Sequence, residues 1–138
     1  MKFDRFEDII AWQKSKKLTI AIYCAFTDCK DYDFKNQIKR ASVSIMNNIA
    51  EGFERQTNNE FRHFAFVAKG SCGEVRSMLY LAKELKILKQ DEIERLILQS
   101  EEWINIFSQG TPDEKTRVVR ILKEIDPANI TKYDRINR

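Results

Sequence analysis

The stretch from Gln37 to Phe61 constrains the fold of this chain most, because its apolar residues recur on two opposite sides of a helix. At 100° per residue, one side carries Phe34, Ile38, Ala41, Ile45 and Ile49, and the other carries Val43, Met46, Ala50 and Phe53. A helix that is apolar on two sides is buried on two sides. We therefore expect the first side to pack in the core of the protomer. The second side, Val43, Met46, Ala50 and Phe53, is predicted to form a seam with another copy of the chain.

A narrow polar sector separates these two sides, and its residues recur at spacings of three and four. Glu51 in this sector and Glu74 further along both lie beside small residues that favour close packing. A carboxylate in such a place needs a cationic or amide partner. The pattern favours a structural polar network over a catalytic carboxylate, and the predicted members are Arg40, Ser44, Asn48, Glu51 and Glu74.

The remaining chain predicts further helices with short connections. A first helix is expected from near Asp8 to near Asp28, although its segment LTIAIYCAF is also short and β-rich enough for a buried strand. Helix is favoured because no Gly or Pro interrupts the preceding residues and no second strand is available to pair with it. Asp33 is the predicted N-cap of a second helix that runs from about Phe34 to Arg55.

Thr57 and Glu60 have the spacing of a capping box, which predicts the start of a third helix ending near Lys86. Gly70 and Gly73 lie inside this helix, and close approach by a neighbouring helix would explain them. A fourth helix is predicted from about Gln90 to Ser108. Its apolar stripe consists of Ile93, Leu96, Ile97, Ser100, Ile104 and Phe107.

These elements predict an all-α fold, an antiparallel up-and-down four-helix bundle with a short additional C-terminal helix. The chain of 138 residues holds only 4 Gly and 2 Pro, which favours a few long helices in one domain, residues 1–138. The core is expected over about 6–110. A second capping box predicts the short helix over about 112–124, and a polar tail follows at 126–138.

The net charge of +3 is small, and the positive excess lies in the first half of the chain. Phosphate contacts need positive charge on a shared surface, so the basic residues of the first three helices are the candidates for nucleic-acid binding. For any single one of them, the favoured interpretation is an ordinary solvated side chain. The candidates are Lys14, Lys17, Lys39, Arg40, Arg55, Arg62, Lys69 and Arg76.

Several kinds of chemistry find no support in the residues. His63 is the only histidine, so one chain cannot assemble a Ser-His-Asp triad or a His-rich metal site. No phosphate-binding GxxxxGK[ST] loop occurs, and no cofactor is expected. Three cysteines without a CxxC pair suit a reducing compartment. Because no apolar leader or membrane span is apparent, we expect a cytoplasmic protein with no membrane partner. Because no catalytic motif is apparent either, we expect no enzymatic activity.

Five segments resemble the bacterial four-helix-bundle family of 23S rRNA intervening-sequence proteins. They are FEDIIAWQK at 6–14, QIKRASVSI at 37–45, NIAEGF at 48–53, Glu60–Phe61, and Ala68–Ser71 with Glu74. The family positions that carry over are Trp12, Arg40, Ser44, Asn48, Glu51, Gly52, Gly70 and Glu74. This chain departs at Met46 and Asn47, where the family commonly has proline and a small residue. A proline there would kink the helix.

The resemblance implies a four-helix protomer that assembles as a homopentamer, encoded in some bacteria within insertions in ribosomal RNA genes. The family is similar to accessory proteins of diversity-generating retroelements, which are basic pentamers that work with a reverse transcriptase and nucleic acid. Binding of RNA or DNA is therefore the first hypothesis for this chain. The alternative is a protein-interaction adaptor or scaffold, such as a partner of a polymerase or reverse transcriptase, and an enzyme is the third.

Overall fold

The computed structural model of the protein describes residues 5–55 and 57–108. After a short 3₁₀ turn at Phe6–Asp8, four α-helices follow: α1 (Ile10–Ala25), α2 (Tyr32–Glu54), α3 (Asn58–Glu84) and α4 (Gln90–Ser108). The described residues contain no strand, and the segment LTIAIYCAF lies almost wholly within α1. The prediction of helix there is confirmed. The predicted helix at 112–124 and tail at 126–138 lie outside the described residues.

The four helices form an antiparallel bundle, as the sequence predicts. α2 and α4 each pack against both α1 and α3. Two hydrogen bonds show that α1 and α2 run in opposite directions: the Thr19 hydroxyl donates to the Ser42 carbonyl at 3.0 Å, and Lys35 Nζ donates to the Thr27 carbonyl at 2.9 Å. Each long helix therefore has one outer surface and two flanks, and each flank packs against one neighbouring helix. The surface that runs along two packed helices is named after both of them, for example the α1–α2 flank.

Capping side chains decide where α2 and α3 begin. Asp31, and not Asp33 as the sequence analysis predicts, is the N-cap of α2, and its carboxylate accepts from the Phe34 N–H at 3.1 Å. The predicted N-cap at Thr57 is confirmed, because its hydroxyl oxygen accepts from the Glu60 N–H at 3.2 Å, whereas the reciprocal bond of a capping box, from a backbone N–H to the Glu60 carboxylate, is replaced by a bond from the hydroxyl. That hydroxyl also lies 3.1 Å from the Glu60 carboxylate, to which it donates.

α3 ends at Glu84, two residues before the predicted position, in a Schellman motif without glycine. Lys86 takes a positive φ of 54°. Its N–H donates to the Lys83 carbonyl at 3.2 Å, and the N–H of Ile87 donates to the Ala82 carbonyl at 3.0 Å. Glycine usually occupies this left-handed position, so its absence removes the signal that would have marked the helix end.

The first apolar side of α2 forms the centre of the core, as predicted. Its five residues Phe34, Ile38, Ala41, Ile45 and Ile49 are all buried. Phe53 is also fully buried inside the protomer, so its assignment to a subunit seam is wrong. It lies about 40° from Ile49 around the helix, at the edge of the buried arc. Val43, Met46 and Ala50, by contrast, are only half-buried.

Trp103 is the largest core side chain that the predicted stripe of α4 omits. It is 1% exposed, and its indole Nε1 donates at 2.9 Å to both the Ala11 carbonyl and the Ser15 hydroxyl oxygen. The Ser15 hydroxyl itself donates to the Ala11 carbonyl, while the Thr19 hydroxyl contacts the Ser15 carbonyl at 2.8 Å. These buried polar groups are paired with one another and tie α4 to α1 and α1 to α2.

The close helix approach in the bundle occurs at Gly52. A Cβ atom added there would lie 2.8 Å from Phe64 Cβ and 3.4 Å from Phe61 Cα on α3. The approach predicted at Gly70 and Gly73 is wrong for the described protomer, because a Cβ at either position would meet nothing within 4 Å. Only at Gly52 does the packing of α2 on α3 require the absence of a side chain.

Candidate nucleic-acid interface

The bundle distributes the predicted basic contact residues over different flanks. Lys39 on α2 lies beside α1, with its Nζ 4.6 Å from the centre of the Tyr23 ring. Lys14 and Lys17 share helical spacing with Ala21 and Cys24, which line a groove between α1 and α4. Lys14 and Lys17 are therefore not on the flank that carries Lys39. A single protomer does not bring all eight candidates to one surface.

Arg62, Lys69 and Arg76 form a regular stripe on α3, each seven residues from the next and each half-buried. Lys83 continues the spacing, and its Nζ lies 3.8 Å from a Glu94 carboxylate oxygen on α4. The stripe therefore borders α4, an acidic helix whose charged residues in the described part are Asp91, Glu92, Glu94, Arg95, Glu101 and Glu102. Acidic residues of the neighbouring helix therefore lower the positive potential along this flank.

Arg55 ties the end of α2 to the start of α3. Its guanidinium lies 3.1 Å from the Glu51 carboxylate and 3.8 Å from that of Glu60, and it stacks 5.3 Å from the centre of the Phe64 ring. All three charged groups are about half exposed, so each ion pair contributes little stability. Arg55 and Glu51 are engaged with each other, which makes Arg55 a weaker phosphate ligand than its position in the sequence indicates.

A smaller polar network than the predicted one joins α2 to α3. Ser44 Oγ lies 2.8 Å from Ser71 Oγ, and Asn48 Nδ2 donates to the Ser44 carbonyl at 2.7 Å and to Ser44 Oγ at 2.9 Å. The structure thus brings together Ser44 and Asn48, while Glu51 pairs with Arg55 instead. Sequence reasoning missed Ser71. Its place in the Gly70–Ser71 segment of the family motif is the signal that could have found it.

Arg40 and Glu74, the other two predicted members, line an open groove of about 650 Å³ between α2 and α3. Asp33, Asn36, Gln37, Ala41 and Ser44 complete its lining. Within the described residues, neither Arg40 nor Glu74 forms a hydrogen bond or ion pair with another side chain. Because one cation faces two carboxylates here, the groove has mixed charge and is a poor phosphate site.

The α1–α2 flank carries apolar side chains that are exposed or half-buried, and three of them belong to the predicted seam. Ile20 is 53% exposed, and Val43, Met46 and Ala50 are half-buried on the neighbouring helix. We call these four residues the apolar strip. Tyr23, one turn beyond Ile20 on α1, is 43% exposed and places Lys39 beside the strip. This flank therefore combines apolar, aromatic and basic side chains.

Groups with catalytic potential are few in the described part of the chain. Burial raises the pKa of the Cys72 thiol to about 12, which outweighs the opposite effect of Arg76, so the thiol is protonated near neutral pH. His63 is exposed. No group of three His, Cys, Asp or Glu side chains in residues 5–55 and 57–105 is arranged to hold a metal ion. No described helix is long and apolar enough to cross a membrane.

The sequence matches the family model of the 23S rRNA-intervening sequence protein over residues 7–109, a range that takes in all four helices. The chain belongs to the 23S rRNA-intervening sequence protein family. No curated protein matches the sequence.

Within this family match, the structure gives several motif positions a definite contact. Gly52 of the NIAEGF segment is where α2 meets α3, and Asn48 of the same segment bonds Ser44. Position 46, where the family commonly has proline, lies within the continuous helix Tyr32–Glu54. The intervening-sequence family motif on α2 therefore contains both structural contacts within the bundle and exposed groups, such as Arg40, that the bundle leaves unpaired.

Proposed function

We propose that this member of the 23S rRNA-intervening sequence family is a non-enzymatic, cytoplasmic homo-oligomer that binds RNA or DNA through a basic surface. The observation that carries the proposal is the α1–α2 flank, where the apolar strip adjoins Lys39, a half-buried lysine whose Nζ lies over the Tyr23 ring. Exposed apolar surface of this kind is suited to contacts between copies of the chain, and positive charge beside it is suited to binding the phosphate groups of a nucleic acid. A protonated Cys72 and a lone, exposed His63 offer no activated nucleophile.

Self-association would give the protein a stronger positive field than one protomer has. A net charge of +3 spread over several flanks gives a weak field, but a closed ring repeats the same charges around its axis. The family resemblance implies five copies. Ile20, Val43, Met46 and Ala50 are the residues that a second copy would cover. Phe53 takes no part, because the protomer already buries it.

The basic side chains differ as candidate phosphate ligands, because some of them lie beside acidic groups and others do not. Arg55 is paired with Glu51 and Glu60, and the stripe from Arg62 to Arg76 borders acidic α4. Lys39 lies against the Tyr23 ring and forms no ion pair within the described residues, so no carboxylate neutralises its charge. Lys14 and Lys17 are exposed on the other flank of α1. The proposal gives Lys39 the largest role among the predicted candidates.

Fluorescence anisotropy with a structured RNA and with DNA, at several salt concentrations, tests binding. We expect affinity to fall steeply as salt rises, because phosphate contacts release condensed counterions. Lys39→Gln should weaken binding more than Lys89→Gln, a matched loss of one charge in the connection between α3 and α4. Absence of binding at low salt, or binding without salt dependence, would contradict the proposal.

The mass of the protein in solution tests assembly. We expect an oligomer at micromolar concentration, and Met46→Glu should dissociate it by placing a charge in the apolar strip. Leu98→Glu is the matched control, because Leu98 is 59% exposed on α4 and away from the strip. A monomeric wild-type protein, or equal behaviour of the two variants, would refute the assignment of the seam.

An adaptor that recognises a protein, for instance a polymerase or reverse transcriptase, is the second candidate function. The mixed charge of the α2–α3 groove favours it, because Arg40 and Glu74 are both available to pair with a partner. In that case Arg40→Glu should abolish capture of the partner while Lys39→Gln leaves it unchanged. Equal capture by wild type and Arg40→Glu would exclude the groove as the docking surface.

A further inference from the structure

We propose that two tyrosines at one end of the α1–α2 flank bind single-stranded nucleic acid by stacking on its bases, while two adjacent lysines hold its phosphates. The residues are Tyr23, Tyr32, Lys35 and Lys39, which we call the tyrosine–lysine ladder. The inference rests on the proposed function, and it adds to it the class of ligand, an unpaired strand, and the atoms that contact it.

Each lysine of the ladder already lies against an aromatic ring. Lys39 Nζ is 4.6 Å from the centre of the Tyr23 ring, and Lys35 Nζ is 5.8 Å from that of Tyr32. Both distances are within the range of a cation–π interaction. The rings themselves are open to solvent, with Tyr23 43% and Tyr32 66% exposed.

The four residues follow one another along the same flank. Lys35 and Lys39 are four residues apart on α2, which is a rise of about 6 Å. Lys35 Nζ also donates to the Thr27 carbonyl at 2.9 Å, and Thr27 lies in the turn after α1, four residues beyond Tyr23. The two tyrosines therefore lie near the two ends of a short row of positive charge.

This arrangement matches an unpaired strand better than a duplex. The faces of bases in a duplex are covered by their neighbours, whereas unstacked bases can lie on tyrosine rings. Any base presents such a face, so the contact tolerates sequence variation. Lysine ammonium groups act as point charges toward phosphates and do not read base edges. The ladder is therefore suited to strand binding without sequence preference.

The third aromatic–lysine pair of the flank differs from the ladder. Lys16 Nζ lies 5.5 Å from the centre of the Trp12 ring, but that ring is half-buried and packs edge-on against Phe6 at 5.1 Å. Trp12 thus has a packing role within the protomer. This contrast limits the stacking sites to Tyr23 and Tyr32.

The ladder and the apolar strip are successive parts of the flank. Met46 and Ala50 lie seven and eleven residues beyond Lys39, about 10 and 16 Å along α2. Ile20 and Val43 of the strip lie only one turn from Tyr23 and Lys39, so a second copy seated on the strip would border the ladder, and the inference requires that it leave the tyrosine rings open. In a ring, the ladders of successive copies would recur at the same height and extend the binding track.

Binding of a fluorescein-labelled oligouridine to the oligomeric full-length chain tests the inference. Tyr23→Leu and Tyr32→Leu keep apolar bulk but remove the stacking ring, and each should weaken binding about tenfold. Tyr23→Phe and Tyr32→Phe keep the ring and should bind like wild type. Tyr80→Leu is the matched control, because Tyr80 is 48% exposed on α3, away from the ladder. Circular dichroism and solution mass verify that each variant folds and assembles.

The two lysines are tested separately, through the dependence of the binding affinity on salt concentration. Lys35→Gln and Lys39→Gln should each lower the slope of log affinity against log salt by about 0.7, the value for one phosphate contact on a single strand. Lys89→Gln should leave that slope unchanged. Equal slopes for all three variants would show that phosphates do not bind at the ladder and would overturn the inference.

The outcomes distinguish this inference from the proposed function. If wild type binds RNA but Tyr23→Leu and Tyr32→Leu bind equally well, or if only duplex binds, the ladder is refuted and the proposed function stands. If wild type binds no nucleic acid, both fail. Polyglutamate that binds with the same dependence on the tyrosines would assign the ladder to an acidic protein partner and would also overturn the inference. Loss of assembly in the leucine variants would overturn it too, by placing the tyrosines in the seam.

Discussion

Substitution of Gly52 by alanine should destabilise the protein, although the same change at Gly70 or Gly73 should stabilise it. All three glycines lie within helices and none has a positive φ. Alanine is favoured over glycine inside a helix by about 1 kcal/mol, so propensity alone predicts a gain at each position. The surroundings of the added methyl group decide the sign.

At Gly52 the new Cβ would lie 2.8 Å from Phe64 Cβ and 3.4 Å from Phe61 Cα. Neither atom is at the free end of a side chain, so relief of the contact requires α2 and α3 to move apart. Overpacking of this kind costs about 1–3 kcal/mol, which exceeds the gain in propensity. We expect a net loss of about 1 kcal/mol for Gly52→Ala. Gly70→Ala, which meets nothing within 4 Å, should gain up to about 1 kcal/mol.

Urea denaturation followed by circular dichroism measures both changes, at one protein concentration because assembly contributes to stability. The difference between Gly52→Ala and Gly70→Ala should be about 2 kcal/mol, and the corresponding thermal midpoints should move in opposite directions by about 4 °C each. Equal stabilisation by the two substitutions would refute the close approach at Gly52. Dissociation of the oligomer by Gly70→Ala would show that a partner copy packs on α3 instead of on the apolar strip.

Two further predictions concern buried groups. Trp103→Phe should lower the free energy of unfolding by about 2 kcal/mol, because it removes indole hydrogen bonds to Ala11 and Ser15 and leaves a small cavity. A loss below about 0.5 kcal/mol in urea denaturation would contradict this. Burial raises the pKa of Cys72 from 9.0 to about 12, so its stabilising contribution is complete below pH 9.0 and is lost as pH rises toward 12. Cys72→Ala should remove that part of the alkaline decline, and a thiol reagent should modify Cys24 while sparing Cys72 in the native protein.

The predicted site residues show which features of the site can be predicted from residue spacing and charge in the sequence. Spacing placed Val43, Met46 and Ala50 together on one side of α2, and the structure leaves all three half-buried on the α1–α2 flank. Spacing also grouped Phe53 with them, but the wide buried arc of a helix between two neighbours takes that residue into the core. The basic candidates were chosen by charge alone. Charge in sequence does not say which acidic helix lies alongside, and for Arg62, Lys69 and Arg76 that neighbour is α4.

By itself, the sequence determined the all-α class, the approximate ends of four helices and the family, because helical periodicity and the Thr57 N-cap are local features. Which flank each helix turns to its neighbours was decided only by the packing of the bundle. That packing pairs Tyr23 with Lys39 and selects Gly52 as the close contact between helices. Such contacts join residues on different helices, so they cannot be predicted from periodicity or capping signals within one helix.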